Sequence, residues 1–370
     1  MNSALPAVKL PAAPLKEWFN EARYRRIVRG VATLAPAFDR PRFLSLTLEG
    51  LSERTLMQRL HQTAIAWHAA LPGSYRDQLA VLRRFAPQVD HSFVAVALSD
   101  FVATYGLEDF EASLPALRFF TPFGSAEFAI RPFLLRDQAR TLAVMLTWTR
   151  DSDEHVRRLA SEGCRPRLPW GARLAELVRD PAPLAPILEA LKNDGSLFIR
   201  KSVANNLNDI AKDHPDWVLE RLESWDRASP HLAWIAKRAS RSLIKKGNPR
   251  ALALFGAGQK AAVRATFSLR PARVALGESI TLAADITSTT RENQRLIVDY
   301  VVHYVKASGR TSVKVFKWTE LDLPPRAKAT LTKRQTIRDF STRRHFAGKH
   351  VVELQINGRK VAATAFLLRG

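Results

Sequence analysis

Two stretches of the chain place apolar residues at matching helical steps. In 153–164, Val156, Leu159, Ala160, Gly163 and Cys164 recur three or four residues apart, and in 197–213 Ile199, Val203, Leu207 and Ile210 do so at closely similar steps. Val156-Arg157-Arg158 is echoed 43 residues later by Ile199-Arg200-Lys201, a period within the range of HEAT-type helical repeats. The two segments are therefore expected to be stacked neighbouring helices. A third echo, Ile235-Ala236-Lys237-Arg238, stands 36 residues beyond the second, so the register drifts.

Helical spacing also marks 15–32, 53–71, 74–86, 92–104, 108–119, 125–149, 171–178, 183–193, 215–225 and 231–246. Pro72-Gly73 ends one of these segments and Pro132 interrupts another. No alternating strand pattern precedes about residue 260. From Val263 the chain changes to short β-branched and aromatic runs, among them RLIVDYVVHYVKA (295–307), SVKVFKWTEL (312–321) and KVAATAFLL (360–368). The expected fold is α followed by β: a HEAT-like helical superhelix over 1–257, whose curvature gives a concave surface, then an immunoglobulin-like β-sandwich without a disulfide over 262–370. FGAGQKA (255–261) reads as the hinge, since no Ser or Thr follows its lysine and no strand precedes it, as a phosphate loop requires.

Composition narrows the function. A chain of 370 residues with 46% hydrophobic content suits two domains. Its net charge of +22 and pI near 10.8 call for a polyanionic partner, nucleic acid first and an anionic membrane surface second. The opening MNSALPAVKLPAAPLKEWFNEARYRRI has no long apolar run, and Glu17 and Glu21 interrupt it, so no leader or membrane span is expected. This reads as a soluble, cytoplasmic, monomeric protein, drawn to the nucleoid through DNA. The lone Cys164, on an apolar helix stripe, reads as a small buried hydrophobe. One Cys and nine scattered His form no pair at ligand spacing, the deaminase signature and the Gly-x-Ser-x-Gly elbow are absent, and no metal or cofactor is expected.

The sandwich is the more basic part, with 21 Lys/Arg against 8 Asp/Glu over 259–370, a net of +13. Lys333, Arg334, Arg338, Arg343, Arg344 and Lys349 crowd KRQTIRDFSTRRHFAGKH (333–350), which reads either as a DNA-gripping loop or as a solvated sandwich edge. In the second repeat, Ser202, Asn205, Asp209 and Lys212 fall opposite the apolar stripe, and Asn205, Asn206 and Asn208 are poor helix formers, so this face is a candidate functional surface.

The remaining chemistry lies in carboxylates and tryptophans among arginines: Glu127, Glu162 and Asp209, with Trp148 and Trp170. Each has a bland alternative. Glu127, two residues after Ser125, suits a helix N-terminus; Glu162 can pair with Arg158 at i,i+4; Asp209 can be solvated; either tryptophan can be a core anchor.

WTRDSDEHVRRLASEGCRPRLPWG (148–171) and IRKSVANNLNDIAKDHPDW (199–217) closely resemble the corresponding blocks of the AlkC-type DNA alkylation-repair glycosylases. The likeness extends more loosely to about residue 250, and the sandwich resembles the immunoglobulin-like domain of one branch of that family. The resemblance implies removal of cationic N-alkylated bases, 3-methyladenine and 3-methylcytosine, from double-stranded DNA without base flipping. It places active-site acids at Glu127, Glu162 and Asp209, Glu127 on the shortest match, and Trp170 as the aromatic contact to the nucleotide. DNA contacts are then expected from Trp148, Arg157, Arg158, Arg165, Arg167, Arg200, Lys201, Arg343 and Arg344. A non-catalytic HEAT-repeat protein, binding nucleic acid or serving as a scaffold, is the alternative. Clustered acids tell the two apart, because carboxylates beside phosphates weaken a mere binder.

Overall fold

A computed structural model describes residues 14–226, 228–258, 260–340 and 343–370. Residues 1–13, where no leader is expected, lie outside the described residues, as do Gln259 of the glycine-rich stretch and Ser341 and Thr342 of the basic loop. The chain forms two compact units, one ending at Asp213 and the other beginning at His214.

The first unit is helical. Its first half holds α1 (Glu21–Leu34), α2 (Arg40–Leu48), α3 (Leu56–Ala70), α4 (Tyr75–Phe85), α5 (Ser92–Tyr105) and α6 (Phe110–Phe120). The second half holds α7 (Arg131–Arg136), α8 (Gln138–Trp148), α9 (Glu154–Glu162), α10 (Ala175–Arg179), α11 (Ala185–Leu191) and α12 (Leu197–Ile210). Thr55 with Gln58 and Ser74 with Asp77 form capping boxes that start α3 and α4. The repeated helices are capped alike. The Asp153 side chain accepts from the His155 backbone N–H at the head of α9, and Ser196 from that of Phe198 at the head of α12, two caps 43 residues apart. As the repeat predicts, α9 packs against α12, with Val156, Leu159, Ala160, Ile199, Val203 and Leu207 buried. Cys164 is fully buried beside them, and burial pushes its thiol up to about 12.

The pattern misplaced some boundaries. The helix expected over 125–149 is a turn at 125–130 followed by α7 and α8, because Pro132 fits only a first helical turn and Asp137 both ends α7 and caps α8. The segment 231–246 breaks at Ser240. Helix α2 escaped notice because it buries only Phe43 and Thr47, too thin a stripe to read.

The second unit opens with α13 (Pro215–Ser224), α14 (Pro230–Ala239), α15 (Arg241–Lys245) and α16 (Pro249–Ala253). Eight strands follow: β1 (Val263–Arg270), β2 (Arg273–Val274), β3 (Ser279–Ser288), β4 (Gln294–Val305), β5 (Thr311–Leu323), β6 (Lys328–Thr336), β7 (Gly348–Ile356) and β8 (Arg359–Leu368). They form sheets ordered β1-β3-β6 and β2-β8-β7-β4-β5, antiparallel except where β2 meets β8. Leu282, Tyr300, Val302, Val352 and Phe366 are among the residues filling the interior, where the described chain has no disulfide. The other face of β4 is also covered, with Ile297 packed on Leu252 and Ala257, which explains its nearly continuous apolar run. Helix gives way to strand between 253 and 263, near the expected hinge, yet the compact units divide at 213/214 because these last helices pack on the sheet. Among the described residues no helix is long and apolar enough to cross a membrane.

Candidate active site

The turn after α6 is the first wall of an open cleft of about 500 Å³ in the helical unit. Gly124 lets this turn press onto the first turn of α5: a Cβ there would stand 2.4 Å from the Ser92 carbonyl oxygen and 2.6 Å from the Val96 nitrogen. Glu127 and Phe128 thereby line the same cleft as Ser92 and Phe93. From α9 come Arg158 and Glu162, one turn apart, and from the head of α12 comes Phe198.

The acids are joined through guanidinium groups. Arg158 Nη1 lies 2.6 Å from Glu127 Oε2, and its Nη2 lies 3.4 Å from Glu162 Oε1. Arg165 donates to Glu162 Oε1 at 2.6 Å and, through Nε, to Asp209 Oδ2 at 2.9 Å. Ser125 donates to Glu127 at 2.9 Å, Ser202 to Glu162 at 2.6 Å, and Lys212 to Asp209 at 2.8 Å. Glu127, Arg158, Glu162, Arg165 and Asp209 thus form one continuous chain of charge. The links from Arg165 to Asp209 and from Ser202 to Glu162 span 44 and 40 residues, close to the repeat period, so stacking α9 on α12 assembles them. Burial pulls the Arg165 pKa down, but the Glu162 and Asp209 carboxylates outweigh it and the net shift is upward. Asp209 is buried at 3% exposure, which removes its reading as a solvated helix residue, and it lies behind Arg165 instead of on the cleft wall.

Trp170 is 72% exposed, lines the cleft, and sits at φ +67°, a conformation few non-glycine residues adopt. What fixes its turn is Arg131, which the sequence reading passed over. This guanidinium, 1% exposed, donates to Gly163 O and Arg165 O, both at 2.9 Å, and through Nε to Ala172 O at 2.6 Å; Nη2 also reaches Ala172 O. Burial pulls its pKa down to about 10. An outlying backbone angle held by a buried cation is the kind of strain that persists only where its surroundings over-determine it.

The family of DNA alkylation repair enzymes matches residues 100–243, and the C-terminal Ig-like domain of the uncharacterised protein YhaZ matches 263–370. The uncharacterized protein YhaZ of Bacillus subtilis (strain 168) is 41% identical over 348 residues, 94% of this chain and 97% of that one. The structure of Pseudomonas fluorescens alkylpurine DNA glycosylase AlkC, bound to DNA containing an abasic site analog, is similar at a TM-score of 0.93 and 49% identity, covering 96% of this chain and 99% of that one. The chain belongs to the AlkC-type DNA alkylation-repair glycosylases.

In this AlkC-type chain several of the residues expected to contact DNA have partners within the helical unit. Trp148, 4% exposed at the end of α8, is a core anchor, because its indole packs inside the helical layer. Arg165 lines the cleft and links two acids. Arg157 is spent on Asp194 at 2.8 Å and on the carbonyls of Asp151 and Ser152, and Arg200 on the carbonyls of Asp194 and Gly195. Both arginines tie down the loops ahead of their own helices, which is why they repeat with the period. Arg158 is in the cleft, Arg167 pairs with Asp213 at 2.7 Å, and Lys201 is exposed. On the sandwich, the Arg343 guanidinium lies 4.8 Å from the Tyr304 ring centroid and 5.7 Å from that of Phe316, whereas Arg344 is exposed. Phe198 also escaped the sequence reading, since it does not differ locally from an ordinary helix residue, whereas Ser202 lies on the polar face that reading singled out. Among the described residues no group of three His, Cys, Asp or Glu is placed to hold a metal ion.

Proposed function

We propose that this enzyme hydrolyses the N-glycosidic bond of cationic N-alkylated bases, 3-methyladenine and 3-methylcytosine, in double-stranded DNA, acting as a monomer on an unflipped base and leaving an abasic site. The observation that carries the reading is the chain of three carboxylates reaching a cleft beside an exposed indole. Alkylation at a ring nitrogen makes the base cationic and a good leaving group, so no general acid is needed. As the bond to C1′ breaks, positive charge develops on the sugar. Glu127 and Glu162, on the cleft wall, oppose that charge, and one carboxylate aligns a water that attacks C1′ and takes up its proton. Asp209 acts behind them through Arg165. The Trp170 indole lies against the cationic base or sugar. Lys201, Arg167 and Arg344 meet phosphates, and the basic sandwich serves as a second DNA clamp.

The test is base release by purified protein from duplex DNA carrying 3-methyladenine or 3-methylcytosine. Release with an intact phosphodiester strand supports a monofunctional glycosylase. Tight binding of the same duplex without release establishes a non-catalytic binder instead.

A further inference from the structure

Resting on that reading, we infer that the box formed by Glu127, Glu162 and the Phe198 ring is a cation site that Arg158 fills in the free enzyme and that the cationic base takes over by displacing it. Three observations converge on this one guanidinium. It sits 2.6 Å from Glu127 and 3.4 Å from Glu162. It lies 4.9 Å from the centroid of Phe198, a ring 38% exposed at the cleft. Unlike Arg157 and Arg200, it donates to no backbone carbonyl that would fix it: its partners are the two carboxylates and the Ser125 hydroxyl, 3.0 Å away.

A guanidinium and an N-alkylated base share their chemistry. Both are flat, delocalised monocations, and both satisfy carboxylates at the edge and an aromatic ring at the face. Exchanging one for the other leaves the charge of the box unchanged, and the released Arg158, on a long side chain, is free to meet a flanking phosphate. A neutral, undamaged base offers no such exchange. Displacing Arg158 for it would leave the largely buried Glu127 without a charged partner and Glu162 with Arg165 alone, an unfavourable state. The same plug also shields the acids from approaching DNA. Selectivity for damage then comes partly from what the base must replace.

The test uses the full chain and a probe without phosphate, the cationic nucleoside 3-methyl-2′-deoxycytidine, against neutral 2′-deoxycytidine, with binding followed by NMR titration. Arg158→Gln empties the site and should tighten binding of the cationic nucleoside about tenfold with no gain for the neutral one, while Arg158→Lys, which retains a cation, stays near wild type. Phe198→Ala should weaken cation binding. In the wild type, the Arg158 Nε–H resonance should move with the cationic nucleoside and stay in place with the neutral one, a readout independent of how well the variants fold. An equal or weaker affinity of Arg158→Gln for the cation, or an unmoved resonance at saturation, overturns the exchange. Excision of 3-methylcytosine from duplex DNA by the wild type is measured alongside. Excision without a cation-selective response refutes the plug and leaves the glycosylase reading standing, whereas a cation-selective response without excision supports the cation site and refutes that reading.

Discussion

Replacing Arg131 by Met separates the stability of the helical unit from the geometry of its site. The side chain makes four hydrogen bonds to three carbonyls of the segment 163–172, which carries Arg165 and Trp170. An unmade buried bond costs about 1–3 kcal/mol, and water entering the space of a shorter, neutral Met satisfies part of it, so about 3–4 kcal/mol is lost. Against this, a guanidinium held down to about 10 marks a burial cost of about 3 kcal/mol, which Met removes. The two terms nearly offset, and global stability should change by less than about 2 kcal/mol of the 5–15 typical of a domain. The effect should instead concentrate on the turn. Without its anchor Trp170 leaves φ +67° and Arg165 is no longer aimed at Glu162, and misplacement of about 1 Å costs about 10²-fold in rate. Arg131→Lys, which retains charge but not the forked geometry, should lose activity similarly. Denaturant unfolding and single-turnover base release, measured on the same preparations, check this. A folded Arg131→Met with full excision refutes the anchoring role, and so does a loss of excision no greater than its unfolded fraction.

Asp209→Asn should slow base release by about 10²-fold by loosening its hold on Arg165. DNA affinity should stay unchanged or rise slightly, since the buried side chain lies off the cleft wall and its loss frees positive charge on Arg165 and Lys212; single-turnover rates and binding isotherms decide. For the basic loop, Arg344→Ala should remove about 0.9 from the slope of log K against log salt, and Arg343→Ala should in addition lower the stability of the sandwich, because Arg343 packs on Tyr304 and Phe316. Affinity over a range of salt concentrations and thermal unfolding distinguish the two. Asp299, 2% exposed with Oδ2 unpartnered among the described residues, is pushed by burial from 3.8 up to about 6. Below about pH 4 its carboxyl is protonated in both states; as pH rises the unfolded chain loses the proton first, so stability falls between about 4 and 6 and stays lowered above. Asp299→Asn should flatten that decline and add up to about 3 kcal/mol at pH 7, read from denaturation at several pH values.

Periodicity in the sequence determined the repeat of α9 and α12, the sandwich strands and the helix-to-strand change, because these depend on which face of each element is apolar, a local property. Glu162, Asp209 and Trp170 were legible through the two blocks they occupy. The partners were not. That Arg165 joins two acids depends on a contact across 44 residues, and that Trp148 is core depends on what packs over it. Even the local hold of Arg157 and Arg200 on carbonyls five or six residues back was hidden, since an arginine aimed at a phosphate has the same local sequence as one aimed at a carbonyl. Arg131 shows the limit most clearly: inside RPFLLR it reads as an ordinary helix start, and only the return of 163–172 over it turns a surface-type residue into a 1% exposed anchor. Burial and charge pairing are properties of what comes back from elsewhere in the chain, so tertiary structure decided them.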